Sequence, residues 1–382
     1  MYVHSNEGER VCCMSTEDTI VGDDVDLDLR KRWSNERAKN IRRQFLNNER
    51  PDICTKCFSL EDNGGLSDRN RFSNQYRDLD IEVNVETGNQ YNSPIDLDIR
   101  PGNLCNLACR MCGPLSSSQL QKEVKNVPIM RSIMGDGTIR ESDVLKREEN
   151  IRFILENADK GRRIKFLGGE PTIMPEVDKF LDILLERNML DVPIHFTTNC
   201  TNDNKRFINK ISKFSQLSFN YSVDGTGKTV EYIRHPVKFN SINKNIKTYH
   251  SLASYGEISY TLQAYNLFNL HEMIAWSSEI GVHVRPELLH SPSLLSCLSI
   301  PKKIRDKRIR MLIKLLDNID AGSLNRTHMK KKILPVLENL YYDDREFNLR
   351  AFAHYTKVID TARNQHIKDY IPEIWEIIKD VY

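Results

Sequence analysis

The stretch "GNLCNLACRMCG", residues 102–113, places three cysteines within eight positions. They are Cys105, Cys109 and Cys112, with the spacing C-x3-C-x2-C. A disulfide framework favours an even number of cysteines, and a structural zinc site uses four ligands. Thiolates suit zinc or iron–sulfur clusters. The stretch therefore predicts either a zinc knuckle completed by a distant ligand or a cluster in which one iron keeps an open position.

The composition is that of a soluble globular protein. Of 382 residues, 39% are hydrophobic and 28% are charged, and the net charge of +2 excludes a general polycation that binds nucleic acid nonspecifically. The N-terminal sequence lacks the apolar segment of a secretory signal, and no apolar run approaches the ~20 residues that span a bilayer. We therefore expect a cytoplasmic protein without a membrane segment, in which thiols stay reduced.

Most of the nine cysteines are grouped. The three groups are Cys12/Cys13, Cys54/Cys57 and Cys105/Cys109/Cys112, and the remaining two are Cys200 and Cys297. In a reducing compartment, grouped cysteines are more often metal ligands than disulfide partners. The three groups are therefore candidate metal ligands.

Strand-like and helix-like patterns alternate from about residue 93 onward. Strands are predicted at 94–100, 163–169, 192–199, 217–225, 258–266 and 282–289. Helices are predicted between them at 175–188, 203–214, 241–253 and 269–281. This alternation indicates an α/β fold with a parallel sheet and crossover helices. Such folds place their sites at the carboxyl ends of the strands.

The two ends of the chain differ from this middle part. Residues 1–92 are polar, with one helix predicted at 34–46, and a metal site would help them fold. Residues 293–382 are predicted to be helical, with an apolar stripe at Ile309, Leu312, Ile313 and Leu316. We therefore predict three domains, at 1–92, 93–292 and 293–382.

Three further motifs follow the cysteine stretch in a fixed order. "FLGGEP" (166–171), "TTN" (197–199) and "SVDG" (222–225) each end a predicted strand. Together with the cysteines they resemble the ordered motifs of the radical S-adenosylmethionine (SAM) superfamily, over about residues 93–290. The resemblance implies a partial (β/α)6 TIM-like barrel of the radical SAM type, with a cysteine-rich N-terminal module and a helical C-terminal region.

The resemblance also assigns roles to residues. Cys105, Cys109 and Cys112 would ligate a 4Fe-4S cluster whose open iron binds the amino and carboxylate groups of SAM. Residues that would contact SAM are Met111, Gly168, Gly169, Glu170, Asn199, Ser222, Asp224 and Gln263. Met111 stands where an aromatic residue is usual, and the fifth-strand motif of the family is replaced by "LQAYN" (262–266).

The family resemblance implies a reaction class. One electron at the cluster would split SAM into methionine and a 5′-deoxyadenosyl radical, which abstracts hydrogen from a substrate. The expected substrate is a peptide or protein side chain, or else a small molecule. A low-potential electron donor such as ferredoxin or flavodoxin is the expected partner.

The segment "CTKC" (54–57), with Trp33 and "NEGERVCC" (6–13) upstream, resembles the auxiliary-cluster module called twitch or SPASM. The resemblance implies a second iron–sulfur cluster on Cys54, Cys57 and either Cys12 or Cys13. Three clear ligands imply an open iron, unless the chain begins too late to include a fourth cysteine. The alternative is a zinc site formed by both cysteine pairs.

Residues 301–332 carry eleven lysines and arginines against three aspartates. A solvated helix face explains such a run, but it also fits a radical SAM enzyme that acts on a nucleotide or RNA. A third hypothesis is an iron–sulfur or zinc protein that binds a partner without catalysis. Iron and zinc content separates that hypothesis from the first two.

Overall fold

The computed structural model describes most of the chain. The described residues are 2–4, 8–10, 12, 28–62, 64–78, 83–89, 94–135, 144–156, 163–318 and 326–382. The strands among them are β1 (Tyr2–His4), β2 (Gly8–Arg10), β3 (Asp96–Arg100), β4 (Arg163–Phe166), β5 (Ile194–Thr198), β6 (Leu217–Ser222), β7 (Tyr255–Leu262) and β8 (His283–Leu288).

Helices lie between β2 and β3, between the later strands, and after β8. In the first half they are α1 (Leu29–Trp33), α2 (Glu36–Leu46), α3 (Thr55–Asp62), α4 (Asp68–Gln75), α5 (Ser118–Asn126), α6 (Pro128–Met134), α7 (Glu148–Leu155) and α8 (Pro175–Glu186). In the second half they are α9 (Lys205–Ile211), α10 (Gly227–Ile233), α11 (Phe239–Leu252), α12 (Leu270–Ile280), α13 (Lys302–Asp317), α14 (Arg326–Tyr342), α15 (Leu349–Arg363) and α16 (Pro372–Ile378).

The predicted fold class is confirmed. Strands β3 to β8 lie at the six predicted positions, and the paired strands β3–β4, β6–β7 and β7–β8 are parallel, as expected for an α/β fold. Helices α8, α9 and α12 lie within predicted helical segments, and α11 overlaps the predicted segment 241–253 but begins earlier, at Phe239. The described residues after 301 are mostly helical, as predicted, in α13 to α16. Among the described residues, no helix has the length and apolar character needed to span a membrane.

The chain divides into two compact units, which are described separately. Unit 1 comprises Met1–Gly102, Ile139–His195 and Lys213–Gln216, and unit 2 comprises Asn103–Thr138, Phe196–Ser212 and Leu217–Tyr382. The three domains predicted at 1–92, 93–292 and 293–382 stay a prediction.

Unit 1 holds the strands β2, β1, β3 and β4 in that order. Strand β1 is antiparallel to β2 and parallel to β3, and β3 pairs with β4 in the register Asp96 opposite Arg163. Leu97 and Ile99 of β3 are buried, and the residues that alternate with them are partly exposed, so the strand has one apolar face. The carboxylate of Asp96 accepts a hydrogen bond from the Tyr76 hydroxyl at 2.5 Å, which ties the end of α4 to the sheet.

The N-terminal helices of unit 1 are set by their capping residues. The Asn35 side chain accepts a hydrogen bond from the backbone N–H of Ala38 at 2.8 Å, so the helix predicted at 34–46 begins at Glu36. Ser67 and Asn70 form a capping box at the start of α4. Strands β1 and β2, with three residues each, and helices α3 and α4 were not predicted from the sequence.

Unit 2 holds the parallel strands β6, β7 and β8, with Ser218 opposite Tyr255 and Glu257 opposite His283. The side chains of Phe219, Tyr221 and Tyr260 are fully buried, so this sheet has an aromatic core. The fifth strand, β5, contributes residues to both units.

Candidate cofactor site

The cysteine loop, defined as residues 103–113, lies in unit 2 and is held first by backbone contacts. The N–H of Ala108 donates to the carbonyl of His235 at 2.7 Å, and the N–H of Arg110 donates to the carbonyl of Ile233 at 2.8 Å. These two bonds fasten the loop to the residues that end α10. The backbone of the loop is therefore fixed at residues 108 and 110.

Two serines at the start of α5 bind the other side of the loop. The Ser117 hydroxyl donates to the carbonyl of Leu107, and the same oxygen accepts from the N–H of Leu120 at 3.1 Å, which caps α5. The Ser118 hydroxyl both accepts from the N–H of Cys105 and donates to its carbonyl, each at 3.1 Å. The loop and the helix that follows it therefore stabilise each other.

A buried ion pair connects the loop to α15. The Arg110 side chain is fully buried, and its Nη2 lies 2.5 Å from Asp360 Oδ1. Its Nε donates to the carbonyl of Tyr232 at 3.0 Å, and its guanidinium lies 3.5 Å from the centre of that ring. The hydroxyl of Tyr355 donates to the carbonyl of Arg110 at 2.6 Å. A charged residue between two cysteines thus serves as an anchor for the loop.

A second arginine, Arg363 at the end of α15, also binds the loop. Arg363 Nη2 donates to the carbonyl of Ala108 and to Glu123 Oε2, both at 2.7 Å. Burial lowers the pKa of Arg363 from its usual value. Together with the serine and tyrosine contacts, this bond gives the loop carbonyls of residues 105, 107, 108 and 110 side-chain donors.

The three thiols lie close to one another. Cys109 is buried, whereas Cys105 and Cys112 are half-buried. A hydrogen bond between Cys112 and Cys109 lowers the pKa of Cys109 and raises that of Cys112 well above its usual value, and the thiol of Cys105 adds to the latter shift. The loop therefore favours a thiolate at Cys109, which is the form that binds metals.

Two side chains donate to the sulfurs. Asn199 Nδ2 lies 3.9 Å from Cys105 Sγ, and Arg234 Nη1 lies 3.9 Å from Cys109 Sγ. Three soft ligands with N–H donors on two of them fit an iron–sulfur cluster. Among the described residues, no three His, Cys, Asp or Glu side chains are arranged to hold a single metal ion.

Asn199 and Asp224 were predicted as SAM contacts, and the structure places them beside the cysteine loop. Asn199 also donates to Asn106 Oδ1 at 3.1 Å. Asp224 is fully buried, its Oδ1 accepts from the N–H of Thr261 at 2.7 Å, and its Oδ2 lies 2.7 Å from Arg234 Nη2. Asp224 therefore holds Arg234 against the loop.

The remaining predicted residues of unit 2 are Met111, Ser222 and Gln263. Met111 is half-buried, and so is Ser222 at the end of β6. Gln263 is fully buried; its Nε2 donates to the carbonyl of Thr261 at 3.3 Å, and its Oε1 has no hydrogen-bond partner within the described chain. An unsatisfied buried amide oxygen is costly, so it marks a position where a donor from a ligand would be favoured.

Gly168, Gly169 and Glu170 belong to unit 1, where they follow β4. Gly168 has φ +85°, and a Cβ at this position would lie 3.1 Å from Arg100 Cβ and from the carbonyl oxygen of Gly102. Glu170 is buried and its Oε1 accepts hydrogen bonds from the N–H and the hydroxyl of Thr172, at 3.1 and 2.6 Å. Glycine at 168 thus permits a turn that other residues rarely adopt.

We expect Gly168→Ala to destabilise the protein by about 1–3 kcal/mol, because alanine at positive φ is strained and its Cβ is tightly packed. The free energy of unfolding in urea measures this effect. Gly102→Ala is the matched control, since a Cβ there meets no atom within 4 Å. Equal stability of the two variants would contradict the role given to Gly168.

The second cysteine group lies in unit 1. Cys54 is half-buried at the end of a short 3-10 helix, and Cys57 is buried in the first turn of α3. Burial raises the pKa of Cys54 to about 11, and the nearby thiols of Cys12 and Cys57 add to that shift. Three of the four predicted ligands are therefore close together, and Cys13 lies outside the described residues.

The loop in unit 2 with three thiols, carried on an α/β fold, defines a candidate metallocofactor site. Residues 99–262 match the family model described as the radical SAM superfamily. A radical SAM domain implies a 4Fe-4S cluster and SAM as cofactors. No curated protein is significantly similar to this chain.

The solved structures that partly resemble this chain include two with S-adenosylmethionine bound. SuiB of Streptococcus suis bound to S-adenosylmethionine is 15% identical, with a TM-score of 0.42, covering 75% of this chain and 64% of that one. AnSMEcpe with bound AdoMet and Cp18Cys peptide is 16% identical, with a TM-score of 0.41, covering 58% of this chain and 59% of that one. The alignments thus span less than two thirds of the length of SuiB and of anSMEcpe.

Proposed function

We propose that this protein is a radical SAM enzyme. It reductively cleaves SAM at a 4Fe-4S cluster bound by Cys105, Cys109 and Cys112, and it abstracts hydrogen from a substrate. The observation that carries the proposal is the group of three adjacent thiols on a loop held by buried side chains, within the residues that match the radical SAM family model. When bound, the cluster supplies the electron that splits SAM into methionine and a 5′-deoxyadenosyl radical.

The protein's contribution is to hold these ligands in one geometry. Arg110 and Arg363 fix the loop backbone to α15, so the thiols need not be ordered when the cofactor binds. Asn199 and Arg234 donate to the sulfurs of Cys105 and Cys109. Donors of this kind orient the ligands and stabilise negative charge on them.

Contacts with SAM are proposed for the predicted residues. Gly168 and Gly169 let the backbone approach the SAM amino group, and the carboxylate of Glu170 lies near that ammonium. Ser222 and Asp224 serve the ribose or carboxylate side, and Asn199 is a further candidate contact on the third predicted strand. Further contacts are proposed for Met111, against the adenine, and for Gln263.

The thiols of unit 1 are proposed to hold a second, auxiliary iron–sulfur cluster of the twitch or SPASM type. The proximity of Cys54, Cys57 and Cys12 supports it, and Cys13 is the alternative to Cys12. The cluster would transfer electrons or anchor substrate. A zinc site on the same cysteines is the competing assignment.

We expect the Cys54→Ser/Cys57→Ser variant to lose the iron of the auxiliary site while the cysteine loop keeps its cluster. Iron and zinc per chain, measured after anaerobic reconstitution, check this prediction. Loss of zinc in place of iron would contradict the auxiliary-cluster proposal, and unchanged metal content would remove the site altogether.

The proposed substrate is a peptide or protein side chain, on the basis of the two cysteine groups that together resemble auxiliary-cluster enzymes. A low-potential one-electron donor such as ferredoxin or flavodoxin would reduce the cluster in the cytoplasm.

Deuterium transfer tests this function. Reconstituted protein is incubated anaerobically with SAM, dithionite and side-chain-deuterated peptides, and the 5′-deoxyadenosine is analysed by mass spectrometry. Deuterium in the product supports a peptide substrate. Undeuterated 5′-deoxyadenosine with every peptide, and deuterium from labelled nucleotides or small molecules instead, would assign another substrate class.

A nucleic-acid substrate is favoured by one observation. Helix α13 exposes Lys303, Lys307, Arg310 and Lys314 on one face. A phosphate backbone bound there would release counterions, so RNA binding would weaken steeply with salt. Binding that does not depend on salt, or no binding, removes this candidate.

A further inference from the structure

Arg234 is the most informative residue that the sequence motifs did not identify. It follows α10 directly, and it is only 8% exposed. Its Nη1 lies 3.9 Å from Cys109 Sγ, and its Nη2 lies 2.7 Å from Asp224 Oδ2. Within the described chain, its Nε has no hydrogen-bond partner. One buried guanidinium therefore joins a proposed cluster ligand to a buried carboxylate.

The carboxylate that holds this guanidinium is itself fixed. Asp224 is fully buried, and its Oδ1 accepts the N–H of Thr261 of β7 at 2.7 Å. Its backbone carbonyl accepts from Asn266 Nδ2 at 3.1 Å. Since the sheet fixes Asp224, the guanidinium is held in place beside the sulfur without needing a ligand to order it.

The charges at this position act on a cluster in opposite directions. Reduction adds one negative charge to the cluster and its thiolates. A nearby cation and an N–H donor to sulfur stabilise that charge and raise the reduction potential, and a nearby anion lowers it. Because Arg234 and Asp224 are buried, solvent screens their charges little, and both charges act on the cluster with little attenuation.

We propose that Arg234 is a positioning residue that raises the reduction potential of the cluster on the cysteine loop, and that Asp224 holds it there and partly offsets it. The inference rests on the proposed function, because it assumes a cluster on Cys109. The step concerned is the uptake of one electron from a low-potential reductant, in which no bond is made or broken.

The experiment is a potentiometric titration of the reconstituted protein with dithionite, followed by electron paramagnetic resonance. The signal assigned to the loop is the one absent from the Cys105→Ala/Cys109→Ala/Cys112→Ala variant. We expect Arg234→Gln to shift its midpoint to more negative potential and Arg234→Lys to shift it less. Asp224→Asn is expected to shift it to less negative potential.

The opposite signs separate charge tuning from structural damage, because damage to the loop would not reverse between the two variants. The matched control is Arg285→Gln, which breaks the ion pair with Glu257 between β8 and β7 and should leave the midpoint unchanged. Iron per chain and 5′-deoxyadenosine release are measured on the same samples.

The outcomes assign failure to one claim or the other. If the wild-type protein carries no loop cluster, the proposed function fails. If the cluster is present and the midpoints of the wild type, Arg234→Gln and Asp224→Asn coincide, the inference is overturned while the proposed function stands. If Arg234→Gln does not retain the cluster, Asp224→Asn decides: a less negative midpoint supports the inference, and any other result overturns it.

Discussion

Cys109→Ala is expected to abolish the loop cluster and to reduce SAM cleavage to background. Cys109 is the buried thiol of the three, and its pKa is lowered by the hydrogen bond with Cys112 and by Arg234, which favours the thiolate form that binds metals. Removal of one of three protein ligands leaves two, too few to hold a cubic cluster in place. We expect a loss of about four irons per chain and a decrease in the visible absorbance at ~400 nm, the remainder belonging to the proposed auxiliary cluster of unit 1.

The matched control for this variant is Cys297→Ala. Cys297 is equally buried and lies in the same unit, but burial raises its pKa to about 12, so it stays a thiol. Iron content and SAM cleavage should match the wild type. Full iron content in Cys109→Ala, or equal losses in the two variants, would refute the assignment of the loop as the cluster site.

Arg110→Met is expected to destabilise the protein by about 3–5 kcal/mol, because it leaves the buried Asp360 carboxylate without its cation. The loop also loses its bond to the Tyr232 carbonyl, so cluster loading should fall. Urea unfolding measures the stability, and iron per chain measures the loading. The double variant Arg110→Met/Asp360→Asn should recover part of the loss, since it removes the unpaired charge.

An exposed ion pair provides the control for burial. Arg345→Met breaks the pair with Asp343, but its side chain is 72% exposed, so we expect little change in the free energy of unfolding. If Arg110→Met is as mild as Arg345→Met, the anchoring of the loop by α15 would be wrong.

Much of the α/β fold could be predicted from the sequence because its signals are local. The six strands β3 to β8 are short apolar segments bounded by polar turns, and the helices between them have apolar stripes at helical spacing. The three-residue strands β1 and β2 carry too little pattern to be recognised. The capping box of Ser67 and Asn70 is a local signal that could have predicted α4.

In the candidate site, too, the sequence predicts local motifs but not contacts between distant residues. The cysteine spacing and the glycine pair at 168 and 169 are each a short motif within a few neighbouring residues. The sequence alone can therefore nominate them as candidate site residues. The partners of Arg110 were not, because Asp360 lies 250 positions away and only tertiary packing brings the two together. Asp224 in "SVDG" was predicted as a SAM contact, which stays a proposal; its bond to Arg234 required the structure.

The proposal that the cysteine loop supports radical SAM chemistry is tested most directly by 5′-deoxyadenosine formation. Reconstituted wild-type protein and the Cys105→Ala/Cys109→Ala/Cys112→Ala variant are incubated anaerobically with SAM and dithionite, and 5′-deoxyadenosine is quantified per chain. We predict formation by the wild type and background by the variant. Equal amounts from the two proteins would contradict the proposed function.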